Sequence, residues 1–71
     1  MKEPQLMNTN MLRMTAVKAK TGLSRSTIYQ RIADNEFPPP VPLGPQSVGW
    51  IEAEVERWLQ DKIQQARRTA G

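Results

Sequence analysis

Four of the five residues at positions 38–42 are proline, so no helix can run through the middle of this 71-residue chain. Each proline fixes φ, removes a backbone donor and pushes the residue before it toward extended geometry. Such a run can serve as a linker or as a ligand for an SH3-type domain. Here Phe37 precedes it, Val41 and Leu43 lie within or just after it, and patterned sequence resumes at once. Those apolar residues need burial, so the run reads as part of a folded unit. Residues 41–43 and 48–51 are two short apolar strands, and Gly44-Pro45-Gln46-Ser47 between them are turn formers. A lone hairpin is unstable in water. This one must lean on a body, with Trp50 and Ile51 making the contact.

Upstream, residues 1–10 are polar and without periodicity, and read as a flexible N-terminal tail. Residues 11–14 read as extended, with Leu12 pointing inward. Thr15 offers a side-chain cap for a helix of about two turns, which ends at Lys20 or Thr21. Gly22 follows where a left-handed residue stops a helix. Ser24 then caps a second helix, with Leu23 before it and Ile28 after it forming a hydrophobic staple. Ile28 and Ile32 stack on one core-facing side, and Asn35 suits a second left-handed stop.

Beyond the hairpin, residues 53–67 predict a third helix. Val55, Trp58, Leu59, Ile63 and Ala66 recur at three- and four-residue spacing and form one apolar face. Glu52, Glu54 and Glu56 crowd its start and Lys62, Arg67 and Arg68 its end, which suits the helix dipole. Trp50 and Trp58 sit among these apolar positions and read as core rather than as stacking platforms for single strands. The division is then a tail over residues 1–10, one domain over 11–67 and a C-terminal tail over 68–71.

Composition narrows the function. A chain this short buries only about 60% of the surface its unfolded form exposes, so few apolar residues are spare. It has no cysteine and no histidine, which removes disulfides, thiolate metal sites and the commonest general base. It also lacks a glycine-rich phosphate loop and a convergent acid pair, so no catalytic residue, metal or cofactor is expected. No apolar run has the length to cross a bilayer, and residues 1–10 do not resemble a signal peptide. A cytoplasmic, nucleoid-associated protein with no membrane partner and no small-molecule ligand is the expectation. The net charge is +3, and all of the surplus lies in residues 1–51, where six bases meet three acids. That asymmetry suits a nucleic-acid partner.

Two short helices joined at Gly22-Leu23, then a hairpin and a third helix, spell a winged helix-turn-helix: mainly α with a small β-hairpin. Lys18 stands four positions before the turn glycine, where such motifs usually hold a small residue. In this fold the first helix and the turn brace the second so that it can slot into the major groove, about 12 Å wide. Ser24, Arg25, Ser26, Thr27, Tyr29 and Gln30 lie on that second helix. Arginine pairs bidentately with guanine, glutamine with adenine, and hydroxyls with either. Backbone N–H groups near Ser24 can hold a phosphate. Arg25 has no acid close in sequence to claim it. Lys18 and Lys20 are solvated helix bases that can also meet phosphate, and Tyr29 can either cover the core edge or face DNA.

The run Leu23-Ser24-Arg25-Ser26-Thr27-Ile28-Tyr29, then Phe37-Pro38, Pro40-Val41, Leu43-Gly44, Val48-Gly49-Trp50, Glu54-Val55 and Trp58-Leu59, closely resembles the AlpA family. These are prophage-type regulators related to MerR-like and excisionase-like winged helices, and the resemblance spans roughly residues 12–63. It implies a MerR-like DNA-binding domain that regulates prophage or integrase genes. It puts a recognition helix on residues 24–32 and a wing on 42–50, with Gln46 and Ser47 at the wing tip. Ser24, Arg25, Ser26, Thr27, Tyr29 and Arg31 would face DNA, and Thr15 and Lys18 would brace the backbone from the first helix. Relatives often carry a base where Gln30, Pro39, Pro42 and Gln46 stand here, which implies fewer phosphate contacts from this wing.

The implied partners are double-stranded DNA, a homo-oligomer on repeated sites, and integrase or RNA polymerase. Two other functions fit less well. One is an excisionase-like architectural factor in site-specific recombination. The other is a protein-binding adaptor that uses the proline run or the outer face of the third helix.

Overall fold

The structure, a computed structural model, describes residues 10–70. The chain runs β1 (Met11–Leu12), α1 (Met14–Thr21), α2 (Arg25–Ala33), β2 (Val41–Gly44), β3 (Ser47–Ile51) and α3 (Glu52–Ala70). This is a winged helix-turn-helix, mainly α, with the β2–β3 hairpin as its wing. Residues 1–9 of the expected N-terminal tail lie outside the described residues. Among the described residues, no helix is long and apolar enough to cross a membrane.

The sheet has three strands in the order β1-β3-β2, not the hairpin alone that the sequence indicates. β1 pairs antiparallel with β3, Met11 opposite Ile51 and Leu12 opposite Trp50. The Glu52 N–H carries the ladder one step further by donating to the Asn10 carbonyl at 2.7 Å. On the other edge Val41 faces Gly49 and Gly44 faces Ser47, with an irregularity between Pro42 and Gly44. Proline has no N–H to give a ladder, so an outer strand is where Pro42 is tolerated.

Gly49 marks the tightest point of this sheet. A Cβ built there would lie 2.9 Å from Leu43 Cδ1, 3.2 Å from the Leu12 carbonyl oxygen and 3.4 Å from Met11 Cε. Leu43 can swing aside because it is exposed at the wing. The Leu12 backbone cannot. Gly49→Ala is therefore expected to cost about 1–3 kcal/mol, as overpacking does. Thermal unfolding followed by circular dichroism should show a midpoint lowered by roughly 4–24 °C. An unchanged midpoint would mean that β1 shifts freely.

The core takes one side chain from almost every element: Val17 of α1, Ile28 of α2, Phe37, Trp50 of β3 and Val55 of α3. Leu12, Met14, Leu23, Ile32, Val48, Trp58 and Leu59 pack around it. The proline segment is held by the two tryptophans. Trp50 Nε1–H donates to the Pro38 carbonyl at 3.0 Å, and Trp58 Nε1–H donates to the Glu36 carbonyl at 2.6 Å. A proline-rich stretch keeps its acceptors while losing its donors, so side-chain donors from the body suit it. Phe37 completes the clamp, edge-to-face with Trp58 at 4.8 Å between centroids. Both tryptophans are thus packing residues, as their sequence positions suggest.

Three boundaries differ from the sequence reading. α1 begins at Met14 with Arg13 as its N-cap, and no side chain caps it. Thr15 is therefore inside the first turn and is not the cap. The reason is that β1 ends at Leu12 and Arg13 is still extended (φ −90°, ψ 170°), so strand passes to helix without a loop. α3 starts at Glu52, directly after β3, and runs to Ala70, so residues 68–70 are helix and not the expected C-terminal tail. Its apolar face is only partly used. Val55 is buried, Trp58 and Leu59 half-buried, and Ile63 and Ala66 exposed, because the helix outgrows the body it covers.

Candidate nucleic-acid interface

α1 and α2 are joined by a turn that its own backbone closes. Gly22 adopts φ 76°, a left-handed geometry that glycine takes without a Cβ clash, and its N–H donates to the Lys18 carbonyl at 2.8 Å. The Thr21 hydroxyl donates to the Val17 carbonyl at 2.8 Å and accepts from the Leu23 N–H at 3.2 Å. Val17, one residue before Lys18, is fully buried and makes the close contact with the body. Lys18 itself is exposed. The departure from a small residue at position 18 therefore costs no helix packing.

α2 starts as its sequence indicates. Ser24 is extended (φ −77°, ψ 163°) and its Oγ accepts from the Thr27 N–H at 3.2 Å. The same hydroxyl donates to Thr27 Oγ1 at 2.9 Å, so both of its functions are engaged within the cap. The Ile28 N–H reaches the Ser24 carbonyl. The N–H groups of Arg25 and Ser26 precede the intrahelical ladder, and no acidic residue stands in this first turn. At the other end Asp34 is the C-cap and Asn35 is left-handed, with φ 60°.

Each residue turns an α-helix by about 100°, and that sorts the side chains of α2. Ile28 is fully buried and Ile32 packs beside it, so this face meets the body. Ser26 and Gln30 project on the opposite face, and both are exposed. Arg25 and Tyr29 share one flank. The Tyr29 ring, 38% exposed, meets Trp50 edge-on at 6.4 Å between centroids. The Arg25 guanidinium lies 5.6 Å over the Tyr29 ring. Tyr29 thus both covers the core edge and carries Arg25. No carboxylate pairs with Arg25 among the described residues.

The other flank is different. Ser26, Thr27, Gln30, Arg31, Asp34 and Glu36 line one shallow groove. Gln30 Nε2 donates to Asp34 Oδ2 at 3.4 Å, and Arg31 Nη1 stands 3.7 Å from Glu36 Oε1. Arg31 Nε is buried with no acceptor among the described residues. The sequence reading singled out Gln30 and Arg31 and left out the two acids beside them. The i, i+4 spacing of Gln30 and Asp34 was the available signal.

The remaining residues divide. Thr15 and Lys18 are exposed on one side of α1, clear of the buried Val17. Lys20, two positions from Lys18, points the opposite way. Its ammonium sits between Glu56 and Glu52 of α3, with Glu52 Oε2 at 3.8 Å. The hydrogen bond that the ammonium donates to Glu56 holds its pKa above the usual lysine value, and the nearby Glu56 and Glu52 charges add to this against some desolvation. Asn10 Nδ2 donates to Glu52 Oε1 at 3.1 Å. Lys20 is thus tied to α3 and does not join the α2 group. Gln46 is exposed at the hairpin turn and Ser47 is half-buried at the start of β3.

Residues 10–63 match the family described as prophage CP4-57 regulatory protein (AlpA). The chain is 46% identical over 57 residues to a DNA-binding transcriptional activator, AlpA, of Escherichia coli K12. That alignment covers 72% of this chain and 81% of the relative. It is also 42% identical over 65 residues to the ORF88 protein of Enterobacteria phage P4, covering 92% of this chain and 74% of that one. The matched stretch takes in the cap at Ser24, the proline clamp, the wing and the buried half of α3. The chain belongs to the AlpA family of prophage regulatory proteins.

Proposed function

We propose that this chain is a transcriptional regulator that binds double-stranded DNA in a sequence-specific way, with α2 in the major groove. The observation that carries the reading is the first half of α2. Its outward side is exposed, it has N–H groups at its start that precede the intrahelical ladder, and it holds a guanidinium that no carboxylate claims among the described residues. Arg25 and Gln30 are the base-reading side chains, with Ser26 and Thr27 as hydroxyl contacts and Tyr29 as the platform under Arg25. Ser24 acts through the cap and through the phosphate held at the helix start. Thr15 and Lys18 brace the backbone from α1, while Arg31 meets phosphate. Relatives in a prophage setting support prophage or integrase genes as the targets. On this reading more than one copy sits on repeated sites, with integrase or RNA polymerase as the further partner, in the cytoplasm.

The wing follows a different chemistry from α2. Residues 37–51 contain no charged side chain, so Gln46 and Ser47 offer only neutral hydrogen bonds to the backbone. With Lys20 engaged by α3, the cations assigned to DNA among the described residues are Lys18, Arg25 and Arg31. Each neutralised phosphate contributes about 0.9 to the slope of log affinity against log salt. The expected contribution of these residues is therefore a slope of roughly −2.7 per monomer.

The experiment is a selection of duplexes from a random-sequence pool, followed by fluorescence anisotropy of the consensus duplex from 50 to 200 mM salt. A defined consensus and a shallow slope are expected. A pool that yields no consensus would overturn the reading.

A further inference from the structure

We infer that Asp34 is a specificity-determining residue that holds Gln30 back from DNA until the correct base offers it a better partner, and that Glu36, which holds Arg31, lowers affinity for DNA of any sequence. The inference rests on the reading of α2 as the recognition helix. It starts from the electrical polarity of that helix. Its first turn carries Arg25 and no acid, at the positive end of the helix dipole. Its last turn runs into Asp34 as C-cap and then Glu36, at the negative end. With nine residues, α2 is about 14 Å long. A rod of that length laid along a groove about 12 Å wide brings both of its ends near phosphates. One end is attracted there and the other repelled.

The two acids also occupy the side chains that would read DNA beside them. Gln30 gives an amide hydrogen to Asp34, and Arg31 leans on Glu36 at 3.7 Å, longer than a direct hydrogen bond. Both are exposed, weak pairs in a shallow groove, so they exchange readily. Arg31 Nε, buried with no acceptor among the described residues, shows that Glu36 does not satisfy this guanidinium fully. An adenine edge can replace Asp34 as the partner of Gln30, and a phosphate can replace Glu36 as the partner of Arg31. On a wrong sequence Gln30 finds no such replacement while the repulsion remains. Both acids thus lower affinity for all DNA, and Asp34 lowers it most for the wrong DNA.

The test compares the wild type with Asp34→Asn and Glu36→Gln on two duplexes at 50 mM salt, the selected consensus and a scrambled duplex of equal length. Both side chains are exposed, and thermal midpoints should stay unchanged. The expected result is a three- to tenfold gain in affinity for the scrambled duplex. For Asp34→Asn the gain on the consensus should be smaller, so the ratio between the two falls; for Glu36→Gln, whose partner Arg31 meets phosphate on any sequence, the gains should be equal. Unchanged or weaker binding to the scrambled duplex would overturn the inference, as would equal gains on both duplexes for Asp34→Asn. A wild-type protein that does not distinguish the two duplexes would instead overturn the reading of α2 itself.

Discussion

Arg25→Ala is expected to weaken binding to the selected consensus by roughly 5- to 150-fold while leaving the fold intact. A bidentate arginine–guanine pair is worth about 1–3 kcal/mol of discrimination, and each 1.4 kcal/mol is tenfold. The fold should survive because the side chain is exposed and its contact among the described residues is the cation–π approach to Tyr29. An exposed contact of that kind is worth about 0.5–1 kcal/mol. Anisotropy on duplexes altered one base pair at a time distinguishes two modes. If Arg25 reads a base, the variant loses preference at one position and keeps its salt slope. If it meets only phosphate, affinity falls evenly and the slope drops by about 0.9. Arg25→Lys sharpens the comparison, since lysine supplies the charge without the planar fork.

Trp50→Ala is expected to remove a large share of the domain's stability. Trp50 is fully buried at the centre of the three-stranded sheet, in contact with Tyr29 and bonded to the Pro38 carbonyl. Truncating a buried tryptophan costs about 3–5 kcal/mol. At roughly 0.05–0.15 kcal/mol per residue, a domain of this size has about 4–11 kcal/mol in total. The midpoint should fall by about 12–40 °C. Loss of amide dispersion in a proton–nitrogen correlation spectrum would show it directly. Trp50→Phe keeps the ring but removes the donor to Pro38, at a smaller cost of about 1–3 kcal/mol. Near-wild-type stability of Trp50→Ala would mean that the proline clamp and the sheet are not coupled as described.

Local chemistry was legible in the sequence, and long-range chemistry was not. Gly22, Ser24 and Asn35 each do what their residue type favours in any chain: stop a helix, cap one and stop the next. The tryptophans were assigned to the core from neighbouring apolar positions. By contrast, residues 11–14 were readable as extended, but the two residues of β1 find their partner about forty positions away, and nothing local shows that pairing. The misplaced cap at Thr15 has the same origin, because Arg13 becomes the N-cap only through the pairing of Met11 and Leu12 with β3. Lys20 looked free because its carboxylates stand 32 and 36 positions later, on α3. Helical periodicity located α3 but could not tell where its apolar face stops being covered, since that depends on how far the body extends. At the candidate interface, the cap and the exposed positions in the first half of α2 were readable, and the acidic border of the helix was not.

That contrast also bears on mechanism. The turn and the cap fix the direction of α2, while Ile28 and Trp50 fix its distance from the body. On the function proposed above, specificity depends on a few side chains held by weak, replaceable contacts: Arg25 on Tyr29 and Gln30 on Asp34. A small domain with few basic residues gains discrimination in this way more readily than it gains affinity.

The most direct test is a titration of isotopically labelled protein with the consensus duplex, followed by amide chemical shifts. Shifts should be largest for residues 24–30, smaller at 15, 18, 46 and 47, and absent along the exposed half of α3. A perturbation centred on α3 or on the proline segment, with residues 24–30 unmoved, would contradict the assignment of α2 to DNA.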